Sequence, residues 1–284
     1  MASDPDLTSL PAAATRTQFY CLARPEPSSR YLELARAAPC RLELPKKLLI
    51  VLDLNGTLLV RGFGYNTTTT RPHAREFLAY CLKHHCVAIW SSARRKNVER
   101  MLTYLFTRRE ISQLVAIWSR KDSRLGEFVD EKVQVYKQLC CSCDDPTVQA
   151  AACRSRDPDV PGRKQSDTGS GTWNQTNTVL IDDSPEKAES EPCNPVQVEE
   201  FTDKAGDTQD DVLGAVLAYI EDLAWERDVS SAIHHIPFEC ARRQGWNWKI
   251  GCPDFDNEQE RSASRRDNQE ESERGQHAKS IEVA

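Results

Sequence analysis

The sequence predicts an α/β fold, a parallel sheet wrapped by crossover helices, and three observations carry that prediction. Two distant apolar runs, Leu48-Leu49-Ile50-Val51-Leu52 and Thr178-Val179-Leu180-Ile181, lack the alternation of a half-exposed strand. Such runs suit strands buried on both faces. Each ends in acid, Asp53 in the first and Asp182-Asp183 in the second, and then meets turn formers, Asn55-Gly56 or Ser184-Pro185. Between them the chain alternates strand-like and helix-like patterns, as a parallel sheet with crossovers requires.

Taken in order, residues 1–44 are rich in Ala, Pro and Ser and read as a flexible segment with one short helical stretch at 31–36. A single globular domain is expected over 45–228. After the first strand comes a Gly/Thr loop at 61–70, and Pro72 then suits the first turn of a helix. Phe77, Leu78, Cys81 and Leu82 follow at helical spacing. Cys86-Val87-Ala88-Ile89-Trp90 is the next strand and runs into Ser91-Ser92. Val98, Met101, Leu102, Leu105 and Phe106 mark a helix whose outer face carries Arg94, Arg95, Arg100 and Arg108. A short strand is expected at 114–118. The periodicity of 131–139 is ambiguous between helix and strand, and about 143–177 reads as a polar, low-complexity insertion. After the second acid-ended strand, an apolar stretch at 196–201 precedes an amphipathic helix at 210–227. Residues 229–253 read as an extension in which Trp246 and Trp248 pack back on the domain, and 254–284 as a disordered charged tail.

Composition narrows the classes. An apolar share of 39% against 28% charged residues suits one domain with disordered termini. A net charge of -6 argues against nucleic acid and anionic membranes as partners. Eleven cysteines, three of them crowded at Cys140, Cys141 and Cys143, read as reduced thiols of an intracellular protein. No apolar run approaches the roughly 18 to 20 residues needed to span a bilayer. Asp4 and Asp6 interrupt any secretory signal, and acids interspersed with Arg16, Arg24, Arg30 and Arg36 argue against a mitochondrial presequence. The expectation is an intracellular soluble protein of nucleus or cytoplasm.

Four points in loops or turns carry chemistry: Asp53, Ser91, Lys137 and the pair Asp182-Asp183. Acids at the ends of two buried strands can converge on one hard cation. A carboxylate can attack phosphorus, while a hydroxyl, an ammonium and a divalent ion meet the developing charge. Local readings compete at each point. Ser91 also fits a helix N-cap, Lys137 a solvated lysine with Lys132 as its rival, and Asp182-Asp183 a turn cap.

Val-Leu-Asp-Leu-Asn-Gly-Thr-Leu at 51–58, Ile-Trp-Ser-Ser at 89–92, Tyr-Lys-Gln-Leu at 136–139 and Leu-Ile-Asp-Asp-Ser-Pro at 180–185 stand in this order. Together they resemble the four motifs of the haloacid dehalogenase superfamily, in the branch of RNA polymerase II C-terminal-domain phosphatases and related small phosphatases. The resemblance covers about residues 46–223 and implies a Rossmann-like sheet without a cap domain. It implies Asp53 as nucleophile and Mg²⁺ ligand, with the Asn55 backbone carbonyl and Asp183 as further ligands. Asp182 would join the metal site or orient Lys137, and Thr57, Ser91 and Lys137 would bind the phosphoryl group. It also implies a phosphorylated protein segment as substrate, because an uncapped site stays open to bulk.

One departure bears on activity. The phosphatases carry a second Asp two residues after the nucleophile as general acid and base, where this chain has Asn55. Losing such help costs roughly 10²–10⁴-fold in rate. The same branch includes the mitochondrial inner-membrane presequence translocase subunit, whose domain binds peptides. A non-catalytic peptide-binding domain, with import translocase subunits as partners at the inner membrane, is therefore the alternative.

Overall fold

The two acid-ended runs become neighbouring strands at the centre of the molecule, and everything else is layered on them. The computed structural model describes residues 24–62, 68–129, 132–154, 172–202 and 211–243. The first part runs α1 (Ser29–Arg36), β1 (Leu49–Leu52), β2 (Leu59–Arg61), β3 (Thr68–Thr70), α2 (Ala74–His84), β4 (Cys86–Trp90), α3 (Arg95–Leu105), α4 (Arg108–Ile111) and β5 (Ala116–Trp118). The second runs β6 (Arg124–Val129), β7 (Lys132–Tyr136), α5 (Leu139–Cys143), α6 (Pro146–Arg154), β8 (Thr178–Asp182), β9 (Pro195–Gln197), α7 (Val212–Leu223), α8 (Val229–His235) and α9 (Phe238–Arg243). A 3-10 turn, Pro185–Ala188, follows β8.

Five strands form the central sheet in the order β5-β4-β1-β8-β9, and every neighbouring pair is parallel. Successive side chains of a strand face opposite sides, and both sides here are covered. Ile50, Leu52, Ile89, Ile117, Val179 and Ile181 pack with apolar residues of α2, α3 and α7. Leu49, Val51, Ala88, Trp90, Trp118 and Leu180 face the other way, against Leu139, Val148, Trp173 and Ala188. Burial on both faces is why β1 reads as continuous apolar sequence instead of alternation.

Several segments differ from their sequence reading. The loop at 61–70 holds an antiparallel hairpin of β2 and β3, in which β-branched Thr68, Thr69 and Thr70 supply the strand. Residues 131–139 contain β7, paired antiparallel with β6, and the start of α5. Within the polar stretch after residue 143, α6 forms because Asp145 Oδ1 accepts from Thr147 N at 2.8 Å and Val148 and Ala151 bury. Ahead of β1, α1 is tied down through Tyr31, whose hydroxyl donates to Asn194 Oδ1 at 2.8 Å. The expected strand at 114–118 begins at Ala116, and the helix expected at 210–227 is Val212–Leu223. The first 23 residues, Trp246, Trp248 and the charged tail lie outside the described residues. Among those described, no helix is long and apolar enough to cross a membrane.

Candidate functional site

Register alone brings the acids together. Leu52 of β1 pairs with Ile181 of β8, so Asp53 stands level with Asp182 on the adjacent strand. Asp53 continues the face of Leu49 and Val51, and Asp182 that of Leu180, so both carboxylates leave the sheet on the same side. Each residue is 1% exposed. Gly56 adopts φ +89°, turning the chain sharply after β1, and a Cβ there would lie 3.0 Å from the Asp183 carboxylate. Only glycine fits that approach without strain. Thr57 Oγ1 then donates to Asp183 Oδ1 at 3.1 Å and accepts from Asp183 N at 3.2 Å. Carboxylate oxygens of Asp53, Asp182 and Asp183 all lie within 4.8 Å of one another.

Two lysines enter this cluster. Lys137 follows β7 and is fully buried. Its Nζ sits 2.5 Å from Asp182 Oδ2 and 3.0 Å from Asp53 Oδ1. Lys187, from the 3-10 turn, lies 2.9 Å from Asp182 Oδ1, 3.5 Å from Asp53 Oδ2 and 3.8 Å from Asp183 Oδ1. The sequence reading missed Lys187. It stands five positions after Asp182 in a Pro-initiated 3-10 turn that brings it back over that acid. Lys137 N donates to Lys187 O at 2.6 Å, so the two backbones are held side by side.

Electrostatics separate the two strand-end acids. Burial raises the Asp53 carboxyl above its ordinary value, and the Asp182 and Asp183 charges add to this against the pull of Lys137 and Lys187. Asp182 is equally buried, yet Lys137 and Lys187 outweigh that burial and hold it below the ordinary value. Burial opposes the Lys187 charge, but Asp53, Asp182 and Asp183 overcome it and raise the ammonium. Lys137 is near enough to Asp53 Oδ1 for ion pairing but is not aligned for a hydrogen bond. Among the described residues that oxygen has no hydrogen-bond donor.

The side chains of the remaining expected residues bond to local partners. The Asn55 side chain accepts from Arg61 N at 3.3 Å and Arg61 Nε at 3.5 Å, tying it to β2. Ser91 sits at the end of β4, beside β1, where its hydroxyl accepts from Ala93 N at 3.3 Å in the manner of a turn cap. The structure therefore gathers Asp53, Thr57, Lys137, Asp182 and Asp183, and leaves the Asn55 and Ser91 side chains on local partners. Lys132 is in β7, opposite Val129. Buried Arg71 locks the turn from behind, donating to Thr57 O at 2.9 Å and Glu199 O at 2.8 Å.

Three carboxylates and an undonated buried oxygen are hard donors of the kind Mg²⁺ takes, so the residues fit such an ion. The arrangement can hold one face of a phosphoryl group between fixed cations and offer it a carboxylate.

Residues 48–230, which include all of these side chains, match the family described as NLI interacting factor-like phosphatase. An uncharacterized FCP1 homology domain-containing protein of Schizosaccharomyces pombe is 31% identical over 228 residues, covering 76% of this chain and 86% of that protein. Among solved structures, Fcp1, titled an essential RNA polymerase II CTD phosphatase, is similar over 70% of this chain and 66% of its own, with 12% identity and a TM-score of 0.36. A variant of fission yeast RNA polymerase II CTD phosphatase Fcp1 bound to beryllium fluoride is similar over 76% of this chain and 68% of its own, with 12% identity and a TM-score of 0.35.

Proposed function

This chain belongs to the NLI interacting factor-like phosphatase family, and from that premise we propose that it is a Mg²⁺-dependent phosphatase of phosphoserine and phosphothreonine in protein segments. The observation that carries the reading is the meeting of Asp53, Asp182 and Asp183 within 4.8 Å, although β1 and β8 are far apart in the chain. Asp53 attacks phosphorus as the bond to the seryl or threonyl oxygen breaks, leaving an aspartyl-phosphate. Water then attacks that phosphorus, releasing inorganic phosphate and restoring the carboxylate. Lys137 offsets charge on the transferring group and, through Asp182, is held in place. Thr57 fixes the Asp183 carboxylate, and Ser91, at the end of β4, borders the phosphoryl position. Asp53, Asp183 and the Asn55 carbonyl would hold Mg²⁺, with Asp182 behind them. The ion supplies neutralisation of phosphoryl oxygens when bound.

Asn55 has no side-chain proton acidic enough to donate near pH 7, so the departing alkoxide takes its proton from solvent and turnover is slow. Between Asp53 and β4 the described residues form only the β2–β3 hairpin and α2, which suits a protein segment better than an enclosed metabolite. A nuclear or cytoplasmic phosphoprotein is the substrate class.

The test is hydrolysis of p-nitrophenyl phosphate, whose good leaving group tolerates a missing acid. Activity should require Mg²⁺ and fall to background in Asp53→Asn. On a phosphopeptide, Asn55→Asp should gain roughly 10²–10⁴-fold. A second reading, a peptide-binding domain without turnover, is favoured by the Asn55 side chain being held on Arg61. Inactivity on both substrates, with peptide binding indifferent to Mg²⁺ removal, would select it.

A further inference from the structure

The cation position among the three acids is approached by a group of the protein itself. Lys187 Nζ contacts Asp53 Oδ2, Asp182 Oδ1 and Asp183 Oδ1, one oxygen from each carboxylate, at 3.5, 2.9 and 3.8 Å. Lys137 touches only Asp53 and Asp182 and uses their other oxygens. The division of labour follows from position. Lys137 enters from beneath, with a side chain that is 0% exposed, while Lys187 closes the cluster from the solvent side with 13% exposure. A side chain so placed can leave toward water without moving the strands, and its backbone stays pinned through the Lys137 N bond to Lys187 O.

Charge states the consequence. Three carboxylates and two ammonium groups sum to -1, so the cluster is close to neutral before any ion arrives. A dication entering beside a retained Lys187 would meet a like charge within a few ångströms in a poorly solvated site. We propose that the Lys187 side chain is the resident cation of this site, that Mg²⁺ binds only by displacing it toward solvent, and that this competition sets metal affinity. The inference rests on the metal reading of Asp53, Asp182 and Asp183, but not on catalytic turnover. It makes Lys187 a positioning residue: it holds the acids together without metal and yields to the ion.

Calorimetric binding of Mg²⁺ alone to the full chain tests it, comparing wild type with Lys187→Met and Lys187→Arg. Lys187→Met keeps the side-chain volume but leaves the cluster at -2, so it should bind Mg²⁺ at least about tenfold more tightly than wild type, a difference of about 1.4 kcal/mol. Lys187→Arg keeps the charge and should bind no more tightly than wild type. A measurement on the unaltered chain guards against a variant that fails to fold. At saturating Mg²⁺, acetylation of Lys187 by acetic anhydride, followed by mass spectrometry, should accelerate several-fold while fully buried Lys137 stays unreactive. Equal or weaker Mg²⁺ binding by Lys187→Met, or Lys187 acetylation unchanged or slowed by saturating Mg²⁺, overturns the proposal and leaves the metal reading intact. Absence of Mg²⁺ binding in both wild type and Lys187→Met overturns both.

Discussion

The ends of β1 and β8 present the same residue at the same depth, and the protein treats the two acids in opposite ways. Asp53 and Asp182 are each 1% exposed and share both lysines, yet the first is raised from its ordinary value and the second lowered. Burial is therefore not what distinguishes them. Asp182 accepts directed hydrogen bonds from Lys137, Lys187 and Ser184 N. Asp53 has the two ammonium groups nearby, at 3.0 and 3.5 Å, and, among the described residues, an oxygen without a donor. A carboxylate held by directed hydrogen bonds on both oxygens is an anchor. One that keeps a free lone pair in a dry site is placed to react.

The largest expected effect follows from that contrast. Asp182→Asn leaves buried Lys137 and partly exposed Lys187 with one fewer counter-charge, and breaking such a pair costs about 3–5 kcal/mol. For a domain of this size that is a fall in Tm of roughly 10 °C. Asp53→Asn removes a carboxylate whose ionisation burial already opposes, and should remain within about 1 kcal/mol of wild type. Its phosphatase activity should nevertheless vanish. Thermal unfolding of the two variants side by side reads the difference, and equal losses of stability would erase the distinction between the anchored acid and the proposed nucleophile.

The acids were legible for a physical reason: a strand buried on both faces has to be apolar throughout, so a carboxylate at its end stands out in sequence. The same logic exposed β4 and Ser91. Lys187 was not legible, because whether a lysine in a polar turn reaches back over Asp182 depends on a 3-10 geometry that Ser-Pro-Glu-Lys does not announce. The second face of the sheet was also hidden. It is covered by isolated apolar residues, Leu139, Val148 and Trp173, scattered through polar sequence too sparse to show a period. Asn55 was legible as a departure from the family, but its bonds to Arg61 were not, since they depend on a hairpin whose second strand is three threonines.

A smaller effect probes where the two strand ends touch. Gly56, in the turn after β1, lies against Asp183, beyond β8. Gly56→Ala must hold a side chain at φ +89° and put its Cβ 3.0 Å from the Asp183 carboxylate. The strain costs about 1–3 kcal/mol, and the displaced Asp183 should weaken Mg²⁺ binding as well. Urea unfolding with and without Mg²⁺ separates the two consequences. If Gly56→Ala lowered stability but left the Mg²⁺-dependent gain untouched, Asp183 would not be a ligand.

The amino end of β1 supplies the smallest test, because a half-buried imidazole sits there and, among the described residues, no acid pairs with it. His85 Nδ1 accepts from Leu48 N at 3.3 Å, a bond that requires a neutral ring nitrogen. Burial pushes His85 down to about 4 from its ordinary 6.5, with His84 and Lys47 adding to the shift. A base depressed in the fold takes up its proton first in the unfolded chain. Its contribution to stability is therefore complete above pH 6.5 and is lost as pH falls toward 4. The full shift would amount to about 3 kcal/mol, but His85 is only partly buried, and solvent screening reduces this to about 1–2 kcal/mol. His85→Gln can still accept from Leu48 N and cannot titrate, so its urea midpoint should change less between pH 7 and 4.5 than that of wild type. Asp182, held below its ordinary 3.8, yields its contribution only at more acid pH. A His85→Gln variant with the full wild-type slope would move the acid sensitivity of the fold from the imidazole to the carboxylates, and Asp182 could then no longer be treated as the anchor that gives way last.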